Sequence, residues 1–238
     1  MILAAGRGER MRPLTDHTPK PLLCVGGKPL IVWHIERLAA AGLRDIVINL
    51  AWLGEKIATH LGNGSRYGVR LRYSPEATAL ETAGGIAHAL PHLGHAPFLV
   101  VNGDIWCDWD ASAAHAAAQQ LQRHDLCAWL WLVDNPAHHP QGDFYLQDGR
   151  CLTTDNPPAH AEPTRTFAGI GVYHPALFAH IPTGQSAKLT PLLRQAMQHQ
   201  RVGGQHHTGA WVDVGTSARL HALDAQLAQR CRSQVRGA

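Results

Sequence analysis

Short apolar runs alternate with three-and-four helical spacings along most of this chain. Ile2 to Ala5 form a small apolar run that stops at Gly6. Ile31, Ile35 and Leu38 recur at helical spacing with Gly42 behind them as a C′ residue, which predicts a helix. Ile46-Val47-Ile48 reads as a buried strand. Leu53, Ile57 and Leu61 share a helix face closed by Gly62 and Gly64. Val69 to Tyr73 alternates as a strand, Thr82 to Leu90 reads as a helix, and Phe98 to Val101 is a buried strand running into Asn102-Gly103-Asp104. Leu126 to Val133 is a further, tryptophan-rich strand. Strands and helices in this alternation predict an α/β fold: a Rossmann-like, mostly parallel sheet flanked by helices.

The pattern changes after Val133. Phe144-Tyr145-Leu146, a turn at Gly149 and Thr166 to Tyr173 predict a small mixed or antiparallel extension, with a Pro-rich loop carrying Pro157, Pro158 and Pro163. Lys188 to His199 returns to helix. Trp211 to Thr216 is a short strand breaking into a turn, and Leu220, Leu223 and Leu227 mark one face of a last helix with Thr216 as its N-cap. No repeat or low-complexity linker divides the chain. The expectation is one domain over 1–228, then a polar, frayed tail at 229–238.

Composition narrows the function classes. The 238 residues can bury a sizeable core without a metal or disulfide staple. With 21 Lys and Arg against 18 Asp and Glu the formal charge is +3, which argues against a nucleic-acid binder. Five widely spaced cysteines with no Cys-x-x-Cys pair predict free thiols in a reducing cytoplasm, with no zinc site. The 17 histidines lack convergent spacing, and surface or structural roles are expected for them. No signal sequence is expected, because the first apolar run ends at Gly6 with no n-region before it, and no membrane span, because no apolar stretch approaches the roughly eighteen residues one needs.

The densest chemistry lies in the first twenty-two residues, MILAAGRGERMRPLTDHTPKPL. Gly6 and Gly8 let the backbone bend where a Cβ would forbid it. Arg7, Arg10, Arg12 and Lys20 surround that bend, and Pro13, Pro19 and Pro21 stiffen the exit. Main-chain N–H groups curled this way, with cations around them, suit a polyphosphate. Met11 stands where a dinucleotide fingerprint needs its third glycine, and no Gly-Lys-Ser/Thr follows as a Walker A loop requires.

Gly6-Arg7-Gly8-Glu9-Arg10-Met11-Arg12-Pro13-Leu14-Thr15 with Pro19-Lys20-Pro21 resembles the signature of the sugar-1-phosphate nucleotidyltransferases, and the resemblance runs along nearly the whole chain. It implies the nucleotide-diphospho-sugar transferase type of fold. It further implies that the backbone of Ala4, Ala5, Gly6 and Gly8 holds a nucleoside triphosphate while Arg10 and Lys20 contact phosphate oxygens. Family members usually carry a few more residues ahead of this loop, so the natural start is expected slightly upstream of Met1.

Downstream motifs extend the resemblance. Asp104 stands at the carboxyl end of an apolar strand, where open α/β sheets place ligands; local pattern alone leaves magnesium ligation and helix capping equally open. Trp211-Val212-Asp213-Val214-Gly215-Thr216 resembles the family's W-x-D-x-G-T, which implies Asp104 and Asp213 as the Mg2+ carboxylates. Tyr73-Ser74-Pro75-Glu76 and Leu80-Glu81-Thr82-Ala83-Gly84-Gly85 correspond to the nucleobase cradle, so Pro75, Glu76, Glu81, Thr82 and Gly84 are nucleotide-binding candidates; on their own, Gly84 and Gly85 would admit a flat base or ribose. Glu81 replaces a glycine common in the family, and this version resembles the branch joining UTP to N-acetylmuramate 1-phosphate. Glu81 also reads as a first-turn acid stabilised by the helix dipole. Asn102, Gly142 and Asp143 are the sugar candidates; Arg165 and Lys188 are candidate cations for a lactyl carboxylate, each equally readable as an ordinary exposed charge.

The reaction so implied is attack of a sugar 1-phosphate oxygen on the α-phosphorus of UTP with loss of pyrophosphate, serving peptidoglycan recycling. Uridylyl, thymidylyl or guanylyl transfer to glucose or mannose 1-phosphate is the alternative. A non-catalytic sugar-nucleotide binder is disfavoured because Lys20, Asp104 and Asp213 are all present.

Overall fold

The computed structural model describes residues 1–155 and 162–236, with the side chains of 1–155 and 162–229. Pro157 and Pro158 of the expected Pro-rich loop lie outside the described residues. A nine-stranded sheet runs in the order Arg70–Pro75, Asp45–Leu50, Ile2–Leu3, Phe98–Asn102, Thr166–Tyr173, Ala128–Val133, Val202–His206, Arg150–Leu152, Tyr145–Gln147. The first four are parallel, so their carboxyl ends open on one edge. The Rossmann-like, mostly parallel reading of the sequence is correct there.

Thr166–Tyr173 corrects one expectation. It is not part of an extension but lies inside the main sheet, antiparallel to both Phe98–Asn102 and Ala128–Val133. Ala168, Ile170 and Val172 are buried on one face and Tyr173 on the other, as an inner strand demands. Only Tyr145–Gln147 and Arg150–Leu152 form the antiparallel edge. Val202–His206 escaped the sequence pattern because two of its residues are glycines. A Cβ on Gly203 would lie 2.5 Å from the Trp129 ring, and one on Gly204 would lie 2.5 Å from the Cys151 sulfur.

Helices cover both faces. Ile31, Ile35 and Leu38 of Leu30–Ala40, Ile57 and Leu61 of Gly54–Leu61, and Ala114, Ala117 and Leu121 of Ala113–Arg123 pack on one side. Ala83, Ile86 and Ala87 of Glu81–Leu93 and Leu189, Leu193 and Met197 of Leu189–Gln198 pack on the other. Each fully buried side chain such as Ile48 contributes roughly 1.5–3 kcal/mol. No helix among the described residues is long and apolar enough to cross a membrane.

Leu220, Leu223 and Leu227 join Met11, Val25 and Trp106 in a third apolar cluster, tying the last helix to the glycine loop. Thr216 caps that helix: its Oγ1 accepts the Arg219 N–H at 3.3 Å. The helix runs Ser217–Arg236, through most of the stretch expected as a tail. That polar run contains neither Gly nor Pro to stop it before Gly237.

His34 couples this scaffold to the site. Its Nε2–H donates to the Ile105 carbonyl at 2.8 Å, one residue beyond Asp104. Burial pushes the imidazole down from 6.5 to about 4; the Ile105 bond and Asp104 oppose that shift, and Arg37 adds to it. The folded pKa lies below the unfolded one, so the stabilisation is present above pH 6.5 and is lost as pH falls through 4. The full loss is about 3 kcal/mol. Urea unfolding of wild type and His34→Gln between pH 8 and pH 4 should show a steeper acid decline in wild type; parallel curves would remove His34 from the pH response.

Candidate active site

The N-terminal loop is shaped by the residues of its own motif. Gly8 takes a left-handed conformation at φ 67. The buried Thr15 hydroxyl donates to the Gly8 carbonyl at 2.9 Å, and Met11 anchors the curl from beneath with no exposed surface. The main-chain N–H groups of Gly6 to Glu9 find no acceptor among the described residues. That leaves four consecutive main-chain donors open to a ligand. The four cations separate into distinct roles. Arg7 donates to the Thr15 carbonyl and to Asp16, each at 2.8 Å, and lies 3.7 Å over the Trp52 ring. Arg12 meets the same Asp16 at 2.9 Å, and the Asp16 carboxyl is held below the usual range, first by the Arg7 hydrogen bond. Arg10 is exposed and has no ion-pair partner among the described residues.

A cleft of about 340 Å³ opens at the carboxyl ends of the parallel strands. Ala4, Ala5, Gly6 and Lys20 line it from the N-terminal side, Glu76, Glu81 and Thr82 from the opposite wall, and Asn102 and Asp104 along the floor. Lys20, only 7% exposed, donates from Nζ to Asp104 Oδ2 at 2.6 Å. A contact this short between full charges fixes both side chains in one place. Gly103 sets where Asp104 emerges, since its N–H donates to the Leu3 carbonyl and a Cβ there would lie 2.5 Å from that oxygen.

Asn49 also lines the cleft and has no counterpart in the sequence reading. It sits at the end of its strand, accepts the Ala4 N–H at 2.8 Å and donates to Glu76 Oε1 at 2.7 Å. The other Glu76 oxygen accepts the Leu80 N–H at 2.9 Å. Buried Asn49 and Glu76 therefore brace both walls against each other. Glu81, exposed beside them, has φ 60, the left-handed region where glycine is usual.

Asp213 approaches from a second, two-stranded sheet. Trp211–Asp213 pairs antiparallel with Ile105–Cys107, with Asp213 opposite Ile105, and the Val214 N–H donates to the Asp104 carbonyl at 3.0 Å. The two aspartates, distant in sequence, are thus brought close: Asp213 ends one strand and Asp104 sits in the turn that leads into its partner strand. Asp213 Oδ2 has Arg219 at 3.1 Å and His138 at 3.4 Å. A smaller cavity of about 230 Å³ shares Glu81, Thr82 and Asn102 with the main cleft and adds Asp143, Phe167 and Lys188.

The sequence matches the family described as "Nucleotidyl transferase" over residues 1–230. The chain belongs to the nucleotidyl transferase family. It is 57% identical over 226 residues to the N-acetylmuramate alpha-1-phosphate uridylyltransferase of Neisseria meningitidis serogroup B, covering 94% of this chain and 96% of that protein. It is 36% identical to the enzyme of the same name from Caulobacter vibrioides, with 96% of each chain covered. In fold it is similar to a Bacillus anthracis crystal structure whose description names a glucose-1-phosphate thymidylyltransferase: TM-score 0.80, 22% identity, 95% of this chain and 94% of that one.

Several candidate residues of this nucleotidyl transferase line neither cavity: Gly8, Arg10, Pro75, Gly84, Asp213 and Gly142. Gly84 and Gly85 make room for protein rather than for a base. A Cβ on Gly84 would lie 2.3 Å from the Gln185 carbonyl, and one on Gly85 would lie 2.7 Å from Glu76 Oε1. Gly142, at φ 60, packs against Asn135 and the Arg165 backbone. Arg165 pairs with Asp134 at 2.6 Å, away from both cavities. Cys107, Asp108 and His207 bring ligand atoms within 4.8 Å of one another. There burial pushes the thiol up to about 11, and His207 and Asp108 already engage each other at 3.0 Å.

Proposed function

We propose that this nucleotidyl transferase joins UTP to N-acetylmuramate 1-phosphate, releasing pyrophosphate and forming UDP-N-acetylmuramate for reuse in the cell wall. The observation that carries this reading is the 57% identity to the Neisseria uridylyltransferase over nearly the full length of both chains. Glu81 in the cradle, in place of the glycine common in the wider family, supports the same branch. The unpaired described cysteines fit a reducing cytoplasm.

The sugar 1-phosphate oxygen is an anion near neutral pH, so its attack on the α-phosphorus needs no general base. The obstacle is repulsion between two polyanions and charge building on the leaving pyrophosphate. The open N–H groups of Gly6 to Glu9 and the unpaired guanidinium of Arg10 are suited to hold the β- and γ-phosphates. Lys20 Nζ keeps two further donors beyond Asp104, enough to bridge the two substrates' phosphates in line. Asp104 and Asp213 offer the hard oxygens that Mg2+ takes together with phosphates, and their chemistry fits that ion. Bound there, Mg2+ would supply Lewis-acid neutralisation of phosphate charge. Asn102 and Asp143 are the donors and acceptors for sugar hydroxyls, with Asp143 steadied by the Phe167 N–H at 2.8 Å.

Pyrophosphate release measured for four nucleoside triphosphates against the muramate, glucosamine, glucose and mannose 1-phosphates tests the assignment. Highest kcat/KM is expected for UTP with N-acetylmuramate 1-phosphate. Preference for GTP with mannose 1-phosphate would reassign the substrate, and no pyrophosphate from any pair would overturn catalysis.

A further inference from the structure

The smaller cavity has an uneven charge pattern. Of its two carboxylates, Asp143 is engaged: Oδ2 accepts the Phe167 N–H at 2.8 Å and Oδ1 meets His139 at 3.1 Å. Glu81 stands at the junction with the main cleft. One cation, Lys188, lines this cavity, and it has no ion-pair partner among the described residues. The other candidate cation, Arg165, is committed elsewhere, to Asp134 at 2.6 Å, His206 at 3.0 Å and Glu162 at 3.6 Å.

The backbone that leads into Lys188 is fixed, while the lysine side chain itself is exposed. Its preceding residue, Ala187, donates to the Leu80 carbonyl at 3.0 Å and accepts from the N–H groups of Ala83 at 2.9 Å and Gly84 at 3.1 Å. This three-bond mooring locks residue 187 to the first turn of the Glu81–Leu93 helix, and only a glycine at 84 allows it. Lys188 therefore emerges at a set distance from Glu81 and Thr82, which both cavities share. Lys188 lines a sugar-sized space whose apolar walls are Phe167, Leu189 and Leu193, and it is the cation that this space can reach.

N-acetylmuramate differs from N-acetylglucosamine by a lactyl ether on O3, which ends in a carboxylate. We propose that Lys188 receives that carboxylate and sets the preference for muramyl over glucosaminyl 1-phosphate. The inference rests on the proposed substrate and deepens it. A charge-assisted N–H···O contact between ammonium and carboxylate discriminates strongly against a sugar lacking the acid.

The test is steady-state pyrophosphate release by wild type, Lys188→Met and Lys188→Arg with UTP and either N-acetylmuramate 1-phosphate or N-acetylglucosamine 1-phosphate. In Lys188→Met the ratio of KM for the muramyl substrate to KM for the glucosaminyl substrate should rise about tenfold or more. Its kcat on the muramyl substrate should stay within about threefold, because the contact lies away from the reacting phosphorus. Lys188→Arg should keep most of the wild-type preference. An unchanged KM ratio in Lys188→Met, or a loss carried by kcat equally on both sugars, overturns the assignment of Lys188 alone. Failure of wild type to use the muramyl substrate overturns the parent reading and this inference with it.

Discussion

Lys20→Met should lower kcat about 100- to 1,000-fold while leaving the far-UV spectrum and unfolding cooperativity intact. The size follows from what a preorganised cationic donor does when two polyanions must meet in a cleft that partly excludes water. Lys20 is nearly buried, and its aliphatic stem passes within 3.3 Å of where a Gly8 Cβ would stand. Methionine retains that packing and removes only the charge. The loss should therefore appear in kcat, with a smaller change in the KM for UTP, as expected for an interaction strengthened in the transition state. Lys20→Arg should recover little, because a planar guanidinium cannot replace a compact ammonium in a slot closed by Gly8 and Thr15. Single-turnover kinetics separate the chemical step from product release. Wild-type turnover in Lys20→Met would remove this lysine from the mechanism.

Much of this architecture was legible because local chemistry and global position agree. The glycine loop is an example: a bend closed to a Cβ was read at Gly8, which takes φ 67, whereas the Met11 anchor and the Thr15 hydroxyl tie emerge only in the structure. Asp45–Leu50 and Phe98–Asn102 were legible because strands buried on both faces leave uninterrupted apolar runs. Legibility failed where a side chain is missing or where space decides. Val202–His206 hides behind Gly203 and Gly204, whose lack of Cβ atoms is what admits Trp129 and Cys151. The helix Ala113–Arg123 buries mostly alanines, which give no large apolar periodicity. Gly84 and Gly85 looked like openings for a ligand, yet protein fills the room they leave; composition cannot say which of two neighbours needs the space. Asn49 gave no motif at all. Its importance comes from ending a parallel strand beside Glu76, a relation set by sheet order rather than by sequence distance.

Asp104→Asn should be as damaging as the lysine replacement, about 100- to 1,000-fold in kcat, with a marked rise in the divalent-ion concentration needed for half-maximal activity. The same change strands the Lys20 ammonium, since Asp104 is its partner at 2.6 Å. Because the Asp104 side chain is 41% exposed while that of Lys20 is 9% exposed, water can compensate in part, and the stability cost should be about 1–2 kcal/mol. These two consequences come apart in the double variant. Lys20→Met with Asp104→Asn removes both charges, so much of the stability lost in Asp104→Asn should return in urea unfolding, while turnover should remain abolished. That combination would mean the pair is held in place for chemistry, with its own contribution to folding close to neutral. If the double variant were instead less stable than either single one, Lys20 and Asp104 would each stabilise the fold through contacts other than their mutual pair at 2.6 Å.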